Sequence, residues 1–338
     1  MSTKSEDIEL NNEVDKLLNN IYRLYMTFYK RIWKLPEVVR YFEKKEGKSF
    51  WLENNKPIKR EVLKEVRNLA KSMEGMINTG MNVAEGIGES VYDKIKKTAT
   101  ENARSSLSTR KLNRPLSLSE RVWNISNSTT KEIEIIIQNA MKQGKSADQI
   151  SREIRKYLNE PDKLFRPVKN KKTGKYELSE AARNYKPGRG VYRSSYKNAM
   201  RLVRTEMNAA MRYSVWKNIQ NDPMIVGVRI SLSNNRENGY PCKVCEALAG
   251  DYPKSFLWTG WHPQCRCIMT PITISNEELS KYIRAKDRGE AYTPKQITSL
   301  PQNFTNWWKD NGAKFYQPEA SKPYWVLDNE ESFGLAQK

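Results

Sequence analysis

Residues 242–267 read CKVCEALAGDYPKSFLWTGWHPQCRC. This stretch holds all 4 cysteines of the chain and its 1 histidine. The pattern is C-x2-C-x16-H-x2-C-x-C, formed by Cys242, Cys245, His262, Cys265 and Cys267. Two closely spaced soft ligands, a long loop and a second close set is how one metal ion ties distant chain segments together. Cys242-Lys-Val-Cys245 can form one knuckle, with Pro241 before it, and His262-Pro-Gln-Cys265 can supply the second pair. A tetrahedral zinc needs four ligands, so four of these five residues would hold it. The first choice is Cys242, Cys245, His262 and Cys265, with Cys267 as a substitute. The other choice uses all four cysteines and leaves His262 hydrogen-bonding beside them. A disulfide such as Cys242–Cys265 is a third way to use the cluster under oxidising conditions. With the good ligands consumed by the ion, a closed structural zinc site is expected rather than a catalytic one with an open position.

The same clustering excludes functions. Zincins that need two histidines cannot apply. A Ser-His-Asp triad would have to recruit a histidine wedged among cysteines. A secreted disulfide scaffold would be shorter and cysteine-dense throughout.

Downstream, Ile268, Ile272 and Ile274 suggest a strand, and Pro271 makes it an edge strand. Upstream, Val226, Val228, Ile230 and Leu232 alternate as a half-buried strand does. The cysteine segment thus joins two strands into a small α+β module. Ser275 and Glu278 form a capping box for a helix through about Arg284. Beyond it, Phe304, Trp307, Trp308, Phe315, Tyr324 and Trp325 are expected to anchor an extended tail.

The helix at about 193–219 leads into the module. Arg193, Lys197, Arg201, Arg204 and Arg212 recur at spacings that keep them on one face. Tyr196, Met200, Val203, Met207, Met211 and Val215 form the opposing apolar stripe. Before it, residues 161–192 are turn-rich and cationic. Thr173-Gly174 there suggests a basic hairpin carrying Lys169, Lys171, Lys172 and Lys175.

The N-terminal half reads as helices. Val14, Leu17, Ile21, Tyr25, Phe28 and Ile32 mark one face, and Pro36 ends the run. A second stripe follows Val62, Val66, Leu69, Met73, Met76, Gly80, Val83, Ile87 and Val91. Its glycines point to close helix packing or a kink. A third helix covers about 118–142 and ends at Gly144. Ser146 and Gln149 then cap a fourth. Glu132 and Glu134 form an E-x-E, the acidic pair of ADP-ribosyltransferases, but they lack supporting strands and read as surface residues.

The expected fold is therefore mainly α with a small α+β C-terminal module. Residues 1–160 form a helical region for assembly or docking, and 161–192 a basic arm or linker. Residues 193–290 form the two-stranded Cys/His-linked module, and 291–338 the tail. Hydrophobic content of 38% and 34 aromatic residues (17 Tyr, 9 Trp, 8 Phe) exclude wholesale disorder. The polar start, MSTKSEDIEL, has no signal-peptide core, and no apolar run is long enough to span a bilayer, so a soluble protein made in a reducing cytoplasm is expected.

The net charge of +20 is uneven: +5 over 1–110, +14 over 111–220 and +1 over 221–338. Residues 161–220 alone carry +11. Concentrated positive charge of this kind suits a phosphate polyanion.

Residues 201–273 resemble the phage Mu F-like head morphogenesis family of minor head, or minor capsid, proteins. The resemblance lies in Arg201-Leu-Val-Arg204-Thr205-Glu206, Trp216, and the strand ending in Arg229-Ile-Ser-Leu-Ser-Asn-Asn235. It continues through Cys242-x-x-Cys245-x-x-Leu248-x-Gly250 and His262-Pro263-Gln-Cys265-Arg266-Cys267. It implies a non-enzymatic protein of a tailed-phage or prophage virion, made in the bacterial host cytoplasm and placed in the head interior or at the portal vertex. The implied partners are the portal protein, capsid subunits and nonspecifically bound double-stranded DNA, with no membrane. Some members carry a fused enzymatic domain, but the stretch after Thr273 is too short for one. The rival reading is a metal-dependent, nuclease-like enzyme acting on DNA, with Glu246 and Asp251 as nearby carboxylates. A zinc-stabilised sequence-specific DNA binder ranks lower, because residues 246–261 are turn-rich and apolar and present no reading helix.

Overall fold

The computed structural model describes residues 3–43, 50–95, 116–188, 190–233, 242–318 and 320–335. Pro241, Asn234 and Asn235, singled out above, lie outside them. The fold is mainly helical with a small C-terminal sheet beside the Cys/His cluster. In space the chain divides into two units, each built from separate stretches of sequence. One takes residues 15–78 and 116–203, and the other takes 1–14, 79–115 and 204–338. Three of these boundaries, at 14/15, 78/79 and 203/204, fall inside helices, and none falls at the linear divisions expected at 160 and 192.

The elements run in order as α1 (Thr3–Lys34), α2 (Pro36–Glu43), α3 (Lys56–Ile95), α4 (Leu118–Gln143) and α5 (Ala147–Asn159). A hairpin of β1 (Val168–Lys169) and β2 (Tyr176–Glu177) follows, then α6 (Glu180–Asn184) and α7 (Ser195–Ile219). Next come β3 (Ile225–Ser231), α8 (Lys243–Ala247), β4 (Gly250–Tyr252) and β5 (Ile268–Thr273). The chain closes with α9 (Asn276–Asp287), α10 (Gln302–Asn311) and α11 (Tyr324–Asn329).

In the unit of 15–78 and 116–203, the expected α1 face is buried: Leu17, Ile21, Tyr25, Phe28 and Ile32 are all inside. On α3 the stripe follows Val62, Val66, Leu69 and Met73, then steps by four to Ile77. In the other unit it continues through Met81, Ala84, Ile87 and Val91, leaving Val83 exposed. Of the expected stripe, Met76 and Val83 stand off this face, while Gly80, Ile87 and Val91 are buried as expected.

Helix α4 is the centre of its unit. Ser117 and Glu120 form a capping box at its start, and Gly144 ends it with φ 65°. Residues 132–140 are buried on every side. That overturns the reading of Glu132 and Glu134 as surface residues. Polar groups placed there must be hydrogen-bonded, and they are. Glu132 accepts from the Tyr29 hydroxyl at 2.6 Å and from the backbone N–H and hydroxyl of Ser195. Glu134 accepts from Leu52 N. Gln138 bridges Phe50 O and Ala181 N, and Asn139 donates to Leu164 O.

In the other unit, β3 is the middle strand of the order β4-β3-β5, all antiparallel. The two strands expected from alternation are β3 and β5, with Pro271 on the edge strand opposite Val228. The third, β4, is three residues long and pairs Gly250 with Ile230. Gly88 of α3 lies against α7: a Cβ there would sit 2.5 Å from Met211 O and 2.8 Å from Ser214 Cβ. Only glycine permits that approach, so this glycine serves close packing.

The tail is not extended. Phe304, Trp307 and Trp308 sit at helical spacing on α10, and Trp325 on α11 is buried among them. Trp325 donates its indole N–H to Trp261 O. Phe304, Trp325, Tyr252, Phe256, Trp258 and Trp261 form one apolar core beneath the cysteine segment.

Candidate metal centre

Cys242 is the first residue before α8, and Glu246 N donates back to its carbonyl, so Cys242 and Cys245 share one helical turn. The second knuckle is a tight turn in which Cys265 N donates to His262 O. Gln264 within it has φ 62°, a left-handed conformation that is rare outside glycine. Its N–H donates to the Thr205 hydroxyl of α7 at 3.0 Å, which holds the turn in that shape.

The two knuckles meet. Cys245 Sγ lies 3.2 Å from His262 Nε2 and 3.9 Å from Cys265 Sγ. The donor atoms form two overlapping triads, Cys242–Cys245–His262 and Cys245–Cys265–Cys267, each mutually within 4.8 Å. Cys245 belongs to both. Cys245, Cys265 and Cys267 are buried and Cys242 is exposed. All four are free thiols.

This donor set fits a tetrahedral ion. Metal–sulfur bonds of about 2.3 Å place ligand sulfurs roughly 3.8 Å apart, close to the Cys245–Cys265 separation. His262 is already oriented for ligation. Its Nδ1 lies 2.8 Å from Pro263 O, and a carbonyl can only accept, so Nδ1 carries the proton. The Nε2 lone pair is then free to face Cys245. Hydrogen bonding with Cys245 and Cys267, together with the positive charge of Arg212, holds the Cys265 thiol well below the ordinary range. Cys245 is correspondingly pushed up, by its hydrogen bonds to Cys265 and Cys267 and by burial. The cluster is compatible with a structural metal ion.

Arg212 is not part of an outward cationic stripe. It is 4% exposed. Its Nη1 donates to Thr259 O at 2.8 Å, and its Nη2 to Cys265 O at 2.7 Å and Cys267 O at 2.8 Å. Its guanidinium stacks over Trp258 at 4.5 Å. A DNA phosphate cannot reach it. Spacing alone put it with the other cations, and its partners lie about fifty residues away in sequence.

The remaining cations differ in how they are used. Arg193 precedes α7, donates to Ala182 O and stacks over Phe165. Lys197 pairs with Asp162 at 2.6 Å, and Arg201 donates to Gly190 O and lies over Tyr192. Arg204 reaches Gln264 Oε1 at 3.5 Å. By contrast, Lys169, Lys171, Lys172 and Lys175 are exposed together on the β1–β2 hairpin. Glu177 anchors that hairpin by accepting from Lys142 and Asn170.

Neither carboxylate near the cluster is built into it. Asp251 pairs bidentately with Arg229 at 2.6 and 2.8 Å, which holds its carboxyl below the usual range. Glu246 is exposed. Sequence reasoning gave no structural role to Thr205, Gln264 and Trp258, which shape the centre without offering ligands.

No protein-family model, curated protein or solved structure matches the chain.

Proposed function

We propose that the chain is a non-enzymatic minor head protein of a tailed phage or prophage, cross-linked by one structural zinc ion. One observation supports this reading: contacts join separate sequence pieces of the head-morphogenesis resemblance. Thr205, from the Arg201–Glu206 segment, accepts from Gln264 between His262 and Cys265. Gly250, after the first cysteine pair, is paired with Ile230 next to Arg229. Pieces that must act together in a family motif would be brought together in this way. The zinc would be held by four of Cys242, Cys245, His262, Cys265 and Cys267, and would supply a fixed cross-link rather than chemistry. The partners would be the portal protein and capsid subunits, with the exposed lysines touching packaged double-stranded DNA through phosphate charge alone. No helix among the described residues is long and apolar enough to cross a membrane. The test is co-expression with a candidate tailed-phage portal protein. A stable complex is expected, and free migration of both proteins would sink the reading.

A second reading is a metal-dependent enzyme acting on DNA. It is favoured by the metal cluster itself, which offers five donors and has the exposed Cys242 at its rim. A solvent-facing edge is what a catalytic ion requires. Incubating zinc-loaded protein with supercoiled plasmid, with and without Mg²⁺, separates the two. Nicking that is lost in Cys242→Ala and His262→Ala would favour the enzyme.

A further inference from the structure

Arg212 is a fully charged guanidinium in the interior of its unit. Its hydrogen bonds go to three backbone carbonyls and its flat face to Trp258. These occupy three of its five donors but bring no negative charge. No carboxylate among the described residues lies within ion-pair distance of it. Half-buried Asp7 lines the same small pocket; burial raises its carboxyl and the Arg212 charge works against that, so Asp7 offsets part of the Arg212 charge. A buried charge that is only partly offset is expensive. Two of the three carbonyls belong to Cys265 and Cys267, whose side chains join Cys245 in the buried triad.

A divalent ion on two thiolates is neutral, and on three it carries one net negative charge. We propose that Arg212 is the counter-cation of an anionic metal–thiolate centre, in which Cys245, Cys265 and Cys267 all ligate and a donor of the other triad, Cys242 or His262, completes the set. This rests on the metal reading above and deepens it: it fixes which thiolates bind and why a guanidinium is buried beside them. Arg212 is a positioning residue. It grips the backbone of two ligands and offsets the charge they bring.

The experiment uses the full chain and zinc, with affinity read by competition against a chromogenic chelator and ligand count read from the cobalt-substituted absorption spectrum. Arg212→Met removes the charge and should weaken zinc binding by about tenfold or more. Arg212→Lys restores the charge with fewer hydrogen bonds and should recover most of that loss. Cys267→Ser should lower the sulfur-to-cobalt charge-transfer intensity, and its cost should shrink in the Arg212→Met background. Asp7→Asn should leave affinity within a few-fold of wild type. Wild-type uptake of zinc with unchanged affinity in Arg212→Met would overturn this inference alone. So would an Arg212→Lys variant as weak as Arg212→Met, which would mark a purely geometric role. If Arg212→Met does not fold, Arg212→Lys carries the test, and a loss beyond about tenfold overturns the inference. A wild-type chain that takes up no zinc overturns the metal reading and this inference together.

Discussion

Glu132 shows how a single residue can be tied to both structure and pH. Burial pushes its carboxyl up to about 6 from 4.5, against the lowering effect of hydrogen bonds from Tyr29 and Ser195. The fold therefore favours the protonated form. The resulting stabilisation is complete below pH 4.5 and is lost as the pH rises through about 6. A shift of this size corresponds to roughly 2 kcal/mol. Unfolding free energy measured by urea titration should thus fall across that window, and Glu132→Gln should remove the fall because it cannot ionise. Parallel pH profiles for the two proteins would show that another group is responsible. Glu132→Ala is a different experiment, because it orphans the Tyr29 hydroxyl and Ser195 N–H and should cost about 1–3 kcal/mol at any pH. None of this was legible in the E-x-E pattern. A helix buried on every side gives no periodic signal to distinguish it from one that is solvated.

At the level of elements, legibility followed whether the signal was local. The capping box of Ser146 with Gln149, the left-handed Gly144 and the Thr173-Gly174 hairpin are each specified within a few residues, and each formed as expected. So did the meeting of the two cysteine knuckles, because ligand spacing is written in the chain. The burial of Arg212 was not legible, since its partners are tertiary. The C-terminal helices were misread for another reason. Helices of ten and six residues carry too little periodicity to stand out, although Pro301 and Pro323 each stand directly before one, where a missing N–H costs nothing. Those helices bury Phe304 at 1% and Trp325 at 1% exposure against Tyr252, Phe256 and Trp261. Phe304→Ala should therefore cost roughly 3–5 kcal/mol. Limited proteolysis should then cut near residue 300 well before wild-type protein is cleaved there. Equal cleavage rates with an unchanged melting temperature would mean that α10 contributes little to the core.

For the molecule as a whole, the net charge of +20 matters less than where free charge is presented. Residues 161–220 hold much of the excess, but Arg193, Lys197, Arg201 and Arg212 spend theirs on internal contacts. The hairpin lysines do not: Lys169 on β1 and Lys171, Lys172 and Lys175 in the turn before β2 are exposed, and the hairpin's anchor, Glu177, does not depend on them. If the chain binds DNA through phosphates, these four should dominate. Replacing all four with Gln should leave the far-ultraviolet spectrum unchanged. It should lower affinity for a random duplex at low salt and flatten the plot of log affinity against log salt by roughly 3–4 units of slope, near one per lost phosphate contact. Fluorescence anisotropy over a potassium chloride series reads both quantities. A lower affinity with the original slope would mean that the lysines act through conformation. An unchanged slope and affinity would remove the hairpin from any DNA-facing surface and leave the charge as a solubility feature.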